Sequence, residues 1–191
     1  MSSSLLNLDN DINDKLIPDV ILNIWFYDGI INQNSSIQQK LQNIILKSQN
    51  IKNGDGFDYV NEMSELRNEI KQDIIIQKPQ DYIDLIKQLT NRFEFLSQKE
   101  EGKSWWHNGF IQLMQENKDF LISHTDLIDK VFAKKIFNLS LKLENNTIIK
   151  DRLIKLIIIP ILECFNKIHL ISDQVVKDFK TNYAINNIIS R

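Results

Sequence analysis

Apolar residues recur every three to four positions along most of the chain, and this spacing predicts amphipathic helices. The pattern is clearest over residues 59–74 and 82–96. No stretch alternates apolar and polar residues long enough to predict a strand. The pattern therefore predicts an all-α fold.

Prolines, turn residues and capping residues mark where these helices begin and end. Proline suits the first turn of a helix, as at Pro18 and Pro79, while Asn53-Gly54-Asp55-Gly56 is typical of a turn. Thr125 is predicted to cap a long helix that ends near Glu144, and Ser172 or Asp173 to cap the last helix. We predict a bundle of seven to eight helices. Residues 1–16 form a polar lead-in and residues 17–191 a single helical domain.

The most apolar stretch runs from about Ile148 to Leu170, and its polar positions form only a narrow stripe. Such a helix belongs near the centre of a bundle. A proline inside it, Pro160, predicts a kink. Because a kink between packed helices can open a cavity, one hypothesis is a bundle that encloses an apolar or lipid-like ligand. The candidate cavity residues are Ile157, Pro160, Ile161 and Cys164.

Composition limits how much a short motif can mean. Isoleucine occupies 32 of the 191 positions and asparagine 21, as A/T-rich codons would give. A calcium-loop match over residues 9–13 then fails at Asp14 and Val20, and a phosphate-loop match ending at Ser104 lacks its first glycine. We therefore predict no metal and no cofactor.

Charge is distributed unevenly along the chain. Residues 1–129 contain 12 basic and 20 acidic side chains, whereas residues 130–191 contain 11 and 5. The simpler interpretation is that the two parts pack together and partly neutralise each other. The alternative is a basic surface, with Lys130, Lys134 and Lys135, that meets an acidic protein or a membrane. With four arginines against 19 lysines, a nucleic-acid partner is disfavoured.

A tryptophan pair is the second candidate for a partner site. Trp105 and Trp106 would point about 100° apart on a helix, so one narrow core face cannot readily hold both. Phe110 and Met114 follow Trp106 at helical spacing and mark the inner side. Trp105 and His107 then lie at a helix edge or groove. Either Trp105 wedges between neighbouring helices, or it anchors a partner.

The histidines and carboxylates do not form a recognisable catalytic motif. His124 lies close to Asp126 and Asp129, but helix capping accounts for both aspartates. Glu163 is expected to pair with Lys167 one turn later. We predict no catalytic residues and lean against an enzyme. An enzyme built around His107, His124 and Glu163 remains as a further hypothesis.

The overall prediction is a non-catalytic adaptor or regulatory protein that acts through protein–protein contacts. The apolar run Leu156–Leu162 is far shorter than the ~20 residues of a membrane span, and peripheral membrane contact stays open. Cys164 is the one cysteine, so no internal disulfide can form, and a reducing cytoplasmic location is expected.

Overall fold

The computed structural model describes residues 56–99, 103–143 and 148–189, together with Leu22, Asn23, Trp25 and Phe26, which are also helical. The three long stretches contain six helices: α1 (Gly56–Gln77), α2 (Pro79–Ser97), α3 (Lys103–Ser123), α4 (Lys130–Leu141), α5 (the consecutive segments Ile148–Leu153, Ile154–Ile158 and Ile159–Lys167) and α6 (Asp173–Ile189). No strand occurs among the described residues, so the all-α class is confirmed for them. None of these helices is both long enough and apolar enough to cross a bilayer.

Several predictions fall on residues outside those the structure describes. These are the lead-in at 1–16, the turn residues Asn53, Gly54 and Asp55, and the calcium-loop match at 9–13. The count of seven to eight helices likewise concerns the whole chain and stays a prediction. Contacts group the chain into two compact units, Met1–Leu89 and Thr90–Arg191, and the division falls within α2. The single domain over 17–191 also stays a prediction.

In the first unit, α1 and α2 bury residues on the faces that their apolar spacing predicts, and Leu22, Trp25 and Phe26 are buried as well. The buried side chains include Leu22, Trp25, Phe26, Ile70, Ile74, Tyr82, Ile83, Ile86 and Leu89. Polar groups make two contacts in this unit. Asn23 Nδ2 donates to Ser64 Oγ at 3.1 Å, and the Lys71 ammonium lies 5.6 Å from the centroid of the Tyr82 ring.

In the second unit, an aromatic ring of α2 packs directly against a glycine of α3. Phe93 and Phe110 pack edge to face, with ring centroids 6.2 Å apart. A Cβ at Gly109 would lie 2.8 Å from Phe93 Cε1, so only glycine leaves room for the buried ring. The inner side of α3 predicted from Trp106, Phe110 and Met114 is confirmed, since all three are buried.

Helix α5 contains a π turn directly before its proline. Over Ile154–Ile158 the helix is π-helical, and the Ile159 N–H bonds the carbonyl of Ile154, five residues earlier. Pro160 has no N–H to offer the Leu156 carbonyl, four residues before it. That carbonyl instead accepts a hydrogen bond from Lys118 Nζ of α3 at 3.0 Å. A change of helix register and a bond from α3 therefore accommodate the proline. The predicted kink in a central helix stays a prediction.

The end of α5 is formed by a residue with left-handed backbone. His169 has φ 63°, and the Leu170 N–H bonds the Phe165 carbonyl at 2.9 Å. This is the Schellman arrangement, which glycine usually provides. Ser172 follows, and its Oγ accepts from the Val175 N–H at 3.3 Å. Capping of the last helix by Ser172 is thus confirmed.

Candidate functional site

Helix α4 begins after a break rather than at the predicted threonine. Thr125–Leu127 form a 3-10 turn, and Ile128 then takes extended backbone with its side chain buried. Asp129 Oδ1 accepts from the Phe132 N–H at 2.7 Å and caps the helix. The predicted start at Thr125 is therefore wrong, because burial of Ile128 interrupts the helix and Asp129 supplies the cap. The end near Glu144 is also wrong, since α4 ends at Leu141.

The exposed side of α4 carries cations and aliphatic groups. Helical spacing places six exposed residues on one face. We call them the α4 surface: Lys130, Val131, Lys134, Asn138, Leu141 and Lys142. Val131 is 72 % and Leu141 49 % exposed, although both are apolar. The helix contains no acidic residue, so no carboxylate of α4 offsets its lysines.

Lys135, which was predicted to share this surface, instead bridges to α2. Its Nζ donates to Asn91 Oδ1 at 2.5 Å and lies 3.9 Å from Glu94 Oε1. Lys142 also reaches α2, where its Nζ donates to Ser97 Oγ at 3.2 Å, but it remains exposed. Of the three predicted lysines, Lys130 and Lys134 are the exposed ones. Only these two are placed for direct contact with a partner.

Two of the three residues predicted around the tryptophan pair, Trp106 and His107, are buried. Trp106 and His107 are each 2 % exposed, and their rings meet edge to face with centroids 4.2 Å apart. The expectation that His107 lies at an open helix edge is therefore wrong, because the imidazole packs in the core beside Trp106. The side chain of Trp105 lies outside what the structure describes, so its two interpretations stay predictions.

The predicted cavity residues divide by burial. Ile157 and Ile161 are buried, whereas Pro160 and Cys164 are half-buried. The Leu156 carbonyl, which Pro160 cannot bond, accepts a hydrogen bond from Lys118 Nζ instead. An enclosed apolar ligand at this site stays a prediction.

The candidate catalytic groups are held apart. His107 and His124 are separated by 17 positions along α3 and the turn after it, which is about 25 Å at helical rise. Glu163 Oε1 lies 2.5 Å from Lys180 Nζ of α6 rather than pairing with the predicted Lys167. Among the described residues, no group of three or more His, Cys, Asp or Glu side chains could hold a metal ion. The two histidines therefore do not share a site.

Sequence reasoning missed one surface altogether. Ile148 and Ile149 were assigned to the buried helix, but they are 80 % and 72 % exposed. A signal was present, because Arg152 lies three and four residues after them and so on the same helix face. Isoleucines that share a face with a cation at the start of a helix are poorly placed for burial.

Comparison with known proteins finds no similarity: no family model matches the chain, and neither a curated protein nor a solved structure does. The function proposed for this chain accordingly rests on its own surface chemistry.

Proposed function

We propose that the α4 surface binds an acidic protein partner, and that the chain is a non-catalytic adaptor or regulatory protein. The exposure of Lys130 and Lys134 beside Val131 and Leu141 carries this proposal. Apolar groups that lose water on contact supply affinity, and charges around them select the partner. A lysine-bearing face without carboxylates complements an acidic protein surface.

The position of Lys130 supports a binding role over a stabilising one. It lies in the first turn of α4, at the positive end of the helix dipole, where a cation destabilises by about 0.3–1 kcal/mol. An acidic residue at this position would stabilise the helix more than lysine does. The Asp129 cap stabilises the same helix end by hydrogen bonding to the backbone. Lys130 thus lowers helix stability while presenting a charge to the surroundings.

Reversing the two exposed charges separates binding from stability. Lys130→Glu/Lys134→Glu should lower capture of a stoichiometric partner from the native cell at least about tenfold, through repulsion of an acidic surface. The same change should leave the urea unfolding midpoint unchanged or raise it, because Glu suits the first turn of a helix. The matched control is Lys78→Glu/Lys177→Glu, which changes the charge equally at two other exposed lysines.

Partner capture and its dependence on salt concentration test the proposed α4 surface. Partner capture by wild type and control should weaken as salt rises, since exposed charges are screened within about 10 Å at 0.1 M salt. Equal capture by the Lys130→Glu/Lys134→Glu variant and wild type would remove the α4 surface from the proposal. Equal loss in both double variants would show that net charge, not this surface, governs binding.

Cys164 supports the cytoplasm as the proposed compartment. It is a free, half-buried thiol in a chain with one cysteine, so no internal disulfide stabilises the fold. A fold without disulfides suits a reducing compartment. Fractionation of the native cell, probed with an antibody to the chain, would test this location.

A further inference from the structure

The first half of α5 exposes three large aliphatic side chains. Ile148, Ile149 and Leu156 are 80 %, 72 % and 59 % exposed. Arg152 and Lys155 are exposed on the same face. We call these five residues the α5 surface; along the helix they span about 12 Å.

These aliphatic groups are additional to the hydrophobic core. The same helix buries Ile154, Ile157 and Ile158, so its inward face is already formed by other side chains. An isoleucine-rich chain is expected to expose single aliphatic residues, which need no explanation. Here three of them lie within nine positions, on the same face as two cations. That arrangement marks a contact surface.

In this half of α5, the positive and the negative side chains differ in exposure. The one carboxylate between residues 148 and 156 belongs to Asp151, and its side chain is 14 % exposed. It accepts the Tyr183 hydroxyl and lies 3.2 Å from Lys155 Nζ. The Tyr183 hydroxyl also lies 2.8 Å from the Asp151 carbonyl oxygen, so α6 holds the first turns of α5 in place. The negative charge is turned inward, and the exposed charges are positive.

We infer that the α5 surface binds the surface of an anionic membrane. Aliphatic side chains can enter the boundary between headgroups and acyl chains, while Arg152 pairs with anionic headgroups and Lys155 adds positive charge beside its Asp151 partner. Isoleucine and leucine partition favourably into a bilayer, and the exposed cations of the same face complement anionic headgroups. The contact would be peripheral and separate from the partner site proposed on α4.

Vesicle co-sedimentation with the full chain tests this inference. Wild type should bind vesicles of phosphatidylcholine mixed with phosphatidylserine, and bind phosphatidylcholine alone at least about tenfold more weakly. Ile148→Asn/Ile149→Asn should reduce binding to the mixed vesicles at least about tenfold, because both aliphatic groups are lost. Arg152→Gln should reduce it about fivefold, as expected for one cation near an anionic surface.

The matched control is Ile76→Asn, which removes an isoleucine 79 % exposed on α1. It should bind the mixed vesicles like wild type. Circular dichroism and urea unfolding should show that every variant keeps the wild-type fold, since all the altered side chains are exposed.

Four outcomes would overturn the inference. The first two are that wild type does not bind the mixed vesicles, and that it binds both vesicle types equally. The third is that Ile76→Asn loses as much binding as the Ile148→Asn/Ile149→Asn variant. The fourth is an Ile148→Asn/Ile149→Asn variant that binds vesicles normally but loses a protein partner, which would make the α5 surface a protein interface.

Discussion

The two ends of α5 both contain isoleucines but differ in their surroundings. Ile148 and Ile149, in its first segment, are among the most exposed apolar residues that the structure describes, whereas Ile161 and Leu162, in its last, are fully buried. Each end contains two isoleucines, so the presence of isoleucine alone does not predict burial. The difference lies in their neighbours: α3 and α6 both pack against the last segment, whereas α6 bonds the first segment through the Tyr183 hydroxyl. Apolar composition predicts that a segment can be buried, and the neighbouring helices decide whether it is.

Truncating one isoleucine at each end of α5 should give the largest contrast. Ile161→Ala should lower the free energy of unfolding by about 2–5 kcal/mol, because it leaves a cavity in the core. Ile148→Ala should change it by less than about 0.5 kcal/mol, since an exposed side chain loses little and alanine favours helix. Urea denaturation followed by circular dichroism measures both.

Equal losses from the two truncations would show that the ends of α5 do not differ in burial. A changed slope with urea in either variant would point instead to an altered unfolded state. Ile149→Ala serves as a second exposed control.

The Tyr183 hydroxyl, which bonds the exposed end of α5, should contribute less to the free energy of unfolding than core packing does. Tyr183→Phe removes the hydrogen bond to Asp151 and keeps the ring, which is stacked on Phe179. We expect a loss of about 1.5–3 kcal/mol, the usual range for a hydrogen bond to a charged group. Amide hydrogen exchange in Ile148–Leu153 should rise more than in Ile159–Lys167. Uniform acceleration of exchange along α5 would contradict a local role for the hydroxyl.

The sequence predicted most of the elements and fewer of their contacts. Apolar spacing identified the buried face of α2 with Ile83 and Ile86, and capping chemistry identified Ser172. These depend on residues close together in sequence. The bond between Lys118 and the Leu156 carbonyl joins residues 38 positions apart, and nothing in the local pattern of either predicts it.

The candidate site was predictable to a smaller extent. Charge distribution identified Lys130 and Lys134, which are exposed, but also Lys135, which bridges to Asn91 and Glu94. Helical spacing distinguishes faces of a helix, yet it does not show which neighbour a long side chain reaches. His107 illustrates the same limit, because a polar residue can be buried when the core supplies a fitting place beside Trp106.

Loss of the Lys118 hydrogen bond should lower the free energy of unfolding by less than loss of the Tyr183 hydroxyl. Lys118→Met keeps the aliphatic stem and removes the donor to the Leu156 carbonyl, which should lower stability by about 1 kcal/mol. In a Pro160→Ala background the new N–H can bond that carbonyl, so the effect of Lys118→Met should fall to about half or less. Lys177→Met, at an exposed lysine on α6, is the control.

An effect of Lys118→Met that is the same in both backgrounds would show that the proline and the lysine act independently. The Pro160→Ala variant tests the predicted kink, since its crystal structure should show a straighter α5 if the proline bends the helix.

The smallest expected effect lies where the buried end of α5 stops, and it has the opposite sign. His169 is exposed and has φ 63°, a conformation that a Cβ disfavours and glycine adopts without strain. His169→Gly should therefore raise the free energy of unfolding by about 0.5–1 kcal/mol, even though glycine loses more backbone entropy on folding. His169→Ala separates backbone strain from loss of the imidazole, because alanine keeps the Cβ and should not stabilise. Thermal unfolding of wild type, His169→Gly and His169→Ala tests this prediction. If alanine stabilises the protein as much as glycine does, the imidazole and not the backbone is unfavourable at the end of α5.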